Sequence, residues 1–362
     1  MTMVRVVVYF VVNNSMYFAV IGNFPEITLA ELKLIDAKDI KKVWTHLIVF
    51  DTKKEDQISS LASLVKWWKI ISISEIQNYI GDKRILWMED KNQAIKFKKQ
   101  LWLKRYKEVG LLHTDMDVKK KWIELIKIWA EWWIVLWYQN IKLYELADFD
   151  KPGRSMQMGM MPAKLTHTMI NIALSHAENK KFKLIYDPFC GTGTTWIIAN
   201  YLWYDFIGSD IKLWFALKNQ VWWKNNHNFH NQIFDFFDQD ISKPLDEKLF
   251  APLLDHETLI VTEWWLWPII KQSTTAEQVY EYQRWVKNLY LQFIQTIADF
   301  YDQHDEKRPV MVFTIPVYIG HENIIQDLIT LLCEKLEWNL TVIDELYKRE
   351  NQKVWRKIMI LR

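Results

Sequence analysis

Beyond about residue 158, short runs of apolar residues alternate with segments in which apolar residues recur at helical spacing. The apolar runs contain few polar positions, which is typical of strands buried on both faces between layers of helices. Two final runs, 340–347 and 353–361, predict a hairpin that adds antiparallel strands to an otherwise parallel sheet. The other predicted strands are 182–186, 205–209, 258–262 and 309–317, and the predicted helices are 163–177, 193–201, 212–225, 275–300 and 321–336.

The N-terminal part has a mixed pattern. Runs of residues with high β-propensity at 4–12 and 16–21 predict a hairpin. Thr28 and Glu31 fit a capping box that would open a helix, and helical periodicity dominates from 92 to 128. We therefore expect a smaller α+β region before the larger α/β region.

A polar segment around Pro152 and Gly153 separates the two regions and predicts a domain boundary. We expect an α+β domain at 1–146, a linker at 147–158 and an α/β domain at 159–362. Two domains also suit a chain of 362 residues.

Composition narrows the class of protein. Half of the residues are apolar, a quarter are charged, and no apolar run approaches the ~18–20 residues of a membrane span. The two cysteines, Cys190 and Cys333, are too few for a disulfide framework or a cysteine-rich zinc site. We expect a soluble cytoplasmic protein with neither a membrane partner nor a metal site.

Charge is unevenly distributed although the formal net charge is only +2. Residues 91–128 contain eleven lysines and arginines and four acids. Such a block is either a solvated helix face or a surface that follows a phosphate backbone, and charge alone does not separate the two. Lys104 and Arg105 are the candidate nucleic-acid contacts within it.

The clearest chemical signal is the glycine-containing turn in Asp187-Pro-Phe-Cys-Gly-Thr-Gly-Thr-Thr195, which joins a predicted strand to a predicted helix. Glycines at such a turn let the backbone approach a ligand closely, and a threonine can cap the helix. No lysine follows the second glycine, so the turn is not a P-loop. Asp210 ends the next predicted strand, where a carboxylate can accept the hydroxyls of a ribose. Asp240 stands where an adenine amino group could be read.

These motifs resemble those of class I S-adenosylmethionine-dependent methyltransferases, and more narrowly the tRNA guanosine-N2 methyltransferases with THUMP domains. Three other segments resemble the narrower family: Gly22–Leu32, Gly159–Leu165 and Tyr347–Ile358. The resemblance implies a Rossmann-like methyltransferase domain, a THUMP-like RNA-binding region before it and tRNA as the partner, with a small helper subunit left open. The cofactor-binding residues that it implies are Asp187, Pro188, Phe189, Cys190, Gly191, Gly193, Thr194, Thr195, Asp210, Ile211, Asp240 and Pro162.

The resemblance also locates a catalytic element at the end of the fourth strand of the α/β domain. Glu263 stands where the family has Asp or Asn, and Trp264 and Trp265 replace its Pro-Pro or Pro-aromatic pair. An acceptor there would orient an exocyclic amine toward the methyl group, and either tryptophan could stack on an extruded base. The resemblance implies guanine N2 in tRNA as the atom that is methylated. A DNA adenine or cytosine amino-methyltransferase, or a non-catalytic RNA-binding module that keeps the fold, remains an alternative.

The tryptophan count is unusual. The chain has 21 Trp and 9 Gly, whereas average usage of about 7% would give roughly 25 glycines. Trp196, Trp203, Trp267 and Trp355 stand where the resembling family commonly has glycine. Our hypothesis is that many tryptophans occupy glycine positions of the natural protein, through a gene in which UGA encodes glycine. The alternative is a tryptophan-rich protein that stacks bases.

Overall fold

The computed structural model describes residues 16–72, 74–80, 85–88, 90–108, 122–128, 131–154, 160–177, 184–231, 233–263, 274–318, 324–348 and 354–362. The chain folds as two units, each with its own sheet. The first unit comprises the described parts of 1–23, 35–60 and 64–139, and the second those of 24–34, 61–63 and 140–362. In the described residues, no helix is both long enough and apolar enough to span a membrane.

The strands are β1 (Met16–Ile21), β2 (Lys38–Trp44), β3 (Leu47–Asp51), β4 (Leu64–Ile71), β5 (Ile85–Met88), β6 (Arg105–Glu108), β7 (Trp122–Ile128), β8 (Glu131–Tyr138), β9 (Leu184–Asp187), β10 (Asp205–Asp210), β11 (Phe234–Asp238), β12 (Thr258–Glu263), β13 (Val310–Tyr318), β14 (Leu340–Tyr347) and β15 (Val354–Leu361). The α-helices are α1 (Pro25–Leu32), α2 (Glu55–Ile58), α3 (Ile76–Ile80), α4 (Lys91–Gln100), α5 (Ile141–Glu145), α6 (Ala163–His176), α7 (Thr194–Tyr201), α8 (Trp214–Asn226), α9 (Glu247–Phe250), α10 (Pro252–Asp255), α11 (Ala276–Gln303) and α12 (Ile324–Lys335).

The first unit is built on a mixed sheet in the order β2-β3-β1-β4-β8-β7-β5-β6. Its pairings are antiparallel except that β5 runs parallel to β6 and β7. The helix predicted over 92–128 corresponds to α4 at its start and is wrong at 101–108 and 122–128, where β6 and β7 lie; residues 109–121 are outside the described residues. In β7, the buried carboxylate of Glu124 lies 2.7 Å from Lys66 Nζ of β4. A charged residue that the sequence pattern assigned to a helix is thus paired across the sheet.

Helix α1 belongs to the second unit and begins earlier than the sequence suggested. Pro25 is its first residue, so Thr28 lies inside the helix and donates to the Phe24 carbonyl. The predicted capping box is therefore wrong. Glu345 of β14 caps the helix by accepting the N–H groups of Glu26 and Ile27, since a carboxylate is stabilised at a helix N-terminus.

The second unit contains a seven-stranded sheet in the order β11-β10-β9-β12-β13-β15-β14. Strands β9 to β13 are parallel, and β15 is antiparallel to both β13 and β14. The predicted α/β fold with an antiparallel closing hairpin is confirmed. The sequence pattern missed β11, a short edge strand whose residues are mostly half-buried or exposed. Strands β10 and β12 flank β9 on opposite sides, so the strand order reverses there, which is where open α/β sheets bind ligands.

The predicted linker is described only as far as Arg154. Residues 146–150 form one π-helical turn, and Lys151 and Gly153 are buried. The domain boundaries at 146 and 159 stay predictions.

Two tryptophans occupy left-handed positions at helix ends. Trp102 follows α4 with φ 56°, and Trp203 follows α7 with φ 65°. At α4 the Leu103 N–H bonds to the Lys98 carbonyl and the Trp102 N–H to the Lys99 carbonyl, and α7 ends with the same bonding pattern. This is the Schellman motif, whose left-handed residue is usually glycine. The other singled-out residues behave differently: Trp196 is buried in α7, Trp355 lies in β15, and Trp267 lies outside the described residues.

We expect Trp102→Gly to raise the free energy of unfolding by about 0.5–1 kcal/mol. The relief of left-handed strain exceeds the extra chain entropy of glycine in the unfolded state. Trp102 is 89% exposed, so little packing is lost. Trp203→Gly should gain less because Trp203 stacks on His230 at 3.6 Å. Trp214→Gly is the control, since Trp214 is exposed at the first turn of α8 in helical geometry and should not be stabilised. Urea unfolding measures all three, and a loss of stability in Trp102→Gly would contradict the expectation.

Candidate functional site

A crevice of about 520 Å³ opens at the carboxyl ends of β9, β10, β11 and β12 in the second unit. It lies where the strand order reverses, as expected for ligand sites of such sheets. The sequence-predicted residues that line it are Asp187, Pro188, Phe189, Cys190, Gly191, Thr194, Thr195, Asp210, Ile211, Asp240 and Glu263. Residues brought in by the fold alone are Met160, Met161, Thr192, Lys212, Gln239, Ile241, Ser242, Trp285, Asn288, Leu289 and Gln292.

The glycine loop, residues 188–193, folds against the end of β10. Gly191 and Gly193 both have left-handed backbones, with φ of 49° and 73°. The Cys190 N–H donates to the Ser209 carbonyl at 3.0 Å, and the Gly193 N–H donates to the Cys190 carbonyl at 2.6 Å. Glycine is needed at these two positions because side chains disfavour this conformation, and the tight loop places its backbone along the crevice wall.

Asp187 holds the glycine loop to the centre of the sheet. Its side chain is buried and accepts hydrogen bonds from Thr262 Oγ1 at 2.5 Å and from the Phe189 N–H at 3.1 Å. Burial raises the pKa of Asp187 to about 7. The residue therefore has a positioning role in addition to lining the crevice.

Asp210, at the end of β10, accepts backbone N–H groups with both oxygens. Gly191 donates to Oδ2 and Lys212 to Oδ1, each at 2.9 Å. Burial raises the pKa of Asp210, and these backbone hydrogen bonds oppose the rise. The Asp210 side chain lines the crevice, so its carboxylate can accept hydroxyls from a ligand beside these backbone donors.

Asp240 and Cys190 differ in their availability to a ligand. Asp240 accepts the hydroxyl and the N–H of Ser242, and the hydroxyl bond is the larger cause of its lowered pKa. The carboxylate is thus fixed at the crevice wall. Burial raises the pKa of the Cys190 thiol well above its usual value, which agrees with a small buried residue rather than a nucleophile.

Glu263 is held at the end of β12 by the two strands beyond it. Thr314 of β13 donates to Glu263 Oε1 at 3.1 Å. Arg356 of β15 donates from Nε to the same oxygen and from a terminal nitrogen to Oε2 at 3.2 Å. Glu263 is 8% exposed and Arg356 is 2% exposed. These contacts occupy both lone pairs of Oε1 and one of Oε2, which leaves one acceptor position.

Sequence reasoning missed Arg356, although the pattern contains a signal for it. Arg356 occupies the same strand face as Val354, Ile358 and Ile360, all of which are buried. A charged residue in the inward register of a buried strand requires a partner of opposite charge. The fold supplies Glu263.

Helix α11 provides a second group that the sequence analysis missed. Trp285, Asn288, Leu289 and Gln292 recur at helical spacing and line one side of the crevice. A separate stripe of the helix, which includes Tyr290, packs into the core of the unit. Two stripes on one long helix indicate that it serves both the core and a site.

The remaining candidates lie elsewhere. Pro162 precedes the first residue of α6 and does not line the crevice, where Met160 and Met161 are found instead. Gly193 does not line it either, because it packs against Phe236 and Ala216. Lys104 and Arg105 are exposed in the first unit. Trp264 and Trp265 lie outside the described residues, so their predicted stacking role stays a prediction.

The charge of the crevice favours a cationic ligand. Four carboxylates line it, those of Asp187, Asp210, Asp240 and Glu263, whereas Lys212 is the single cation among its described lining residues. Arg356 neutralises Glu263, Lys243 lies 3.8 Å from the Asp240 carboxylate, and Asp187, with a pKa of about 7, is only partly ionised at neutral pH, so Asp210 supplies most of the remaining negative charge. A ligand with positive charge and hydroxyl donors therefore suits this lining.

No protein-family model matches the sequence, and no curated protein matches it significantly. Solved structures do show similarity. An S-adenosylmethionine-dependent O-methyltransferase from Thermotoga maritima is 10% identical, with 66% of this chain and 77% of that chain covered and a TM-score of 0.38. Magnesium protoporphyrin IX methyltransferase from Synechocystis with bound S-adenosylmethionine is 12% identical, with coverages of 61% and 95% and a TM-score of 0.35. An rRNA methyltransferase from Streptomyces viridochromogenes is 10% identical, with coverages of 58% and 88% and a TM-score of 0.34.

Proposed function

We propose that this chain is an S-adenosylmethionine-dependent methyltransferase that acts on an exocyclic base amine of RNA, with guanine N2 of tRNA as its target. One observation carries the proposal. The glycine loop, the Asp210 carboxylate and the Glu263 carboxylate converge on one crevice where the strand order reverses. The cofactor would supply a methyl group activated by a sulfonium centre.

The residues of the crevice fit this cofactor. Asp210 lines the crevice at the end of β10, where its carboxylate can accept ribose hydroxyls. Gly191, which has a left-handed backbone, lines the crevice and lets the backbone approach the ligand without a side chain between them. The acidic lining matches the positive charges of the sulfonium and ammonium groups, so the charged cofactor should bind more tightly than its neutral demethylated product.

Glu263 would orient the target amine. Its one unoccupied acceptor position can receive an N–H of the amine, whose nitrogen is then held toward the methyl donor. Arg356 and Thr314 prevent the carboxylate from rotating away. Positioning, more than proton removal, would supply the rate enhancement.

The first unit carries the surface that we assign to RNA. Helix α4 contains four lysines and no acid, and Lys104 and Arg105 follow it. Lys91, Lys96, Lys99, Lys104 and Arg105 are exposed. Clustered cations on one helix and the following strand suit a phosphate backbone, and binding through them should weaken steeply as salt is raised.

Methyl transfer tests the proposal. The protein is incubated with labelled S-adenosylmethionine and either total tRNA or duplex DNA, and the product is digested to nucleosides. N2-methylguanosine from tRNA is the expected result. Methylated adenine or cytosine from DNA would show that the substrate is DNA and not tRNA. If calorimetry detects binding of RNA but no binding of the cofactor, the enzymatic proposal is wrong.

We expect Asp210→Asn to weaken S-adenosylmethionine binding by about 10- to 100-fold. The amide keeps one acceptor oxygen but loses the charge-assisted hydrogen bond of the other. Asp238→Asn is the matched control, because Asp238 ends β11 in register with Asp210 but is exposed and does not line the crevice. Calorimetric titration compares the two variants, and equal affinities would remove the ribose role of Asp210.

A further inference from the structure

A buried lysine contacts the glycine loop and the first residue of α7. Lys151 is 1% exposed. Its Nζ donates to Thr192 Oγ1 at 2.9 Å and to Thr194 Oγ1 at 2.5 Å. Both threonines line the crevice. The Lys151 amine is thus connected to the crevice through the hydroxyl groups of these two threonines.

The segment that carries this lysine is fixed against the glycine loop by α8. Asn219 donates from Nδ2 to the carbonyls of Gly153 and Thr192, each at 2.8 Å, and accepts the Gly153 N–H at 2.6 Å. A Cβ at Gly153 would lie 2.7 Å from Asn219 Oδ1 and from the Phe215 carbonyl. The place of Lys151 is therefore built into the fold by a close approach that only glycine permits.

Protonation of Lys151 decides which way the two hydroxyls point. An ammonium group has three donors and no acceptor, so both threonine oxygens must accept from it. Their hydrogens then point away from the amine. The two oxygens lie 3.4 Å apart, so one hydroxyl can donate to the other while the hydrogen of the second stays available to an acceptor in the crevice. A neutral amine has a lone pair, to which one hydroxyl can turn its hydrogen and so withdraw a donor from the crevice.

The surroundings place this change in a physiological range. Burial lowers the pKa of Lys151 to about 7, Asp148 opposes the fall, and Arg154 adds to it. The groups that contact the amine from the glycine loop and α7 are the uncharged hydroxyls of Thr192 and Thr194. Asn219, which fixes the segment from α8, is also uncharged.

We propose that Lys151 is a positioning residue whose protonated side chain directs the hydroxyls of Thr192 and Thr194 toward an acceptor group of the cofactor, its carboxylate. This inference rests on the proposed function, because it names how the same crevice recognises the amino-acid part of S-adenosylmethionine. Binding then favours the protonated lysine, so the protein takes up a proton as the cofactor binds. Affinity falls as the pH rises above 7.

Proton uptake on binding tests the proposal. Calorimetric titration with S-adenosylmethionine at pH 8, in two buffers of different ionisation enthalpy, gives the number of protons exchanged. We expect the wild type to take up about half a proton or more, and Lys151→Met to take up correspondingly less. Between pH 7 and 8 the wild-type affinity should fall by up to about tenfold, and that of Lys151→Met should change less. Thr192→Val should reduce the proton uptake in the same direction.

Two further variants keep the test decisive. Lys151→Arg stays charged at all these pH values, so it should bind with little proton uptake if it folds. Lys248→Met is the control, because Lys248 is exposed on α9 and should leave the uptake unchanged. If the wild type binds but Lys151→Met takes up as many protons, the inference is wrong and the proposed function stands. If the wild type binds no cofactor at any pH, the proposed function itself fails.

Discussion

Glu263→Gln is expected to lower the rate of methyl transfer by about 10²–10³-fold while cofactor affinity stays within about twofold. Arg356 only donates hydrogen bonds, so the amide oxygen of the new glutamine turns toward it. The amide NH₂ group then takes the place of Oε2, where it opposes the terminal nitrogen of Arg356 as well as the N–H groups of the target amine. The site loses its acceptor, and Arg356 loses its buried counter-charge, so the variant should also unfold more easily and is assayed only where it is folded.

Single-turnover kinetics with tRNA and labelled cofactor measure this effect separately from product release. Glu257→Gln is the matched control, because Glu257 is exposed just before β12, near the opposite end of the strand that carries Glu263. It should transfer methyl groups at the wild-type rate. If Glu263→Gln transfers methyl groups at the wild-type rate, the only role of Glu263 is its ion pair with Arg356, and another group orients the amine.

Arg356→Met should lower the free energy of unfolding by about 3–5 kcal/mol, because it leaves the Glu263 carboxylate buried without its cation. A complete buried ion pair adds little net stability, because the desolvation of both charges offsets their attraction. When one partner is removed, the desolvation penalty of the remaining charge is no longer offset. The control is Lys54→Met. Lys54 pairs with Asp36 at 2.5 Å where both side chains are partly exposed, so its loss should cost less than about 1 kcal/mol.

The double variant Glu263→Gln/Arg356→Met completes the cycle. Because it removes both charges, we expect it to regain most of the stability lost in Arg356→Met. Urea denaturation of the wild type, both single variants and the double variant gives the coupling energy. Additive losses would mean that the two side chains do not form a buried pair in solution.

The second unit was largely predictable because its elements are long and its strands are apolar. The order of strands and helices from α6 to β15 is as predicted apart from the missed β11, together with the short helices α9 and α10 near it. Strand β11 is brief and half-exposed, so its pattern does not distinguish it from a loop. Short edge strands owe their structure to a neighbour rather than to their own residues.

The first unit was less predictable for a related reason. The pattern in Trp122–Ile128 fits a helix as well as a strand, and only pairing with β5 and β8 selects the strand. Long-range pairings of this kind carry no local signal. The left-handed residue after α4 was also missed. A glycine after a helix predicts this conformation, but the residue at this position is Trp102.

The site was predicted in its local parts and missed in its distant ones. The glycine loop and Asp210 are marked by their own neighbours in the chain. Arg356 lies 93 residues from Glu263, and Lys151 lies 41 residues before Thr192, so both contacts arise only from the fold. A residue that holds a functional group but is distant from it in sequence gives only a weak signal, such as a charged residue on the inward face of a buried strand.

The position of β15 between β13 and β14 has a consequence for biosynthesis. Ribosomes make proteins from the amino end, so β15 emerges after every other strand of this sheet. Until then β13 lacks its antiparallel neighbour, and Glu263 lacks its guanidinium. A nascent chain that ends before Arg356 can therefore form the glycine loop and Asp210 but lacks the guanidinium that fixes Glu263. If the proposed function holds, a chain truncated before Val354 should transfer no methyl groups.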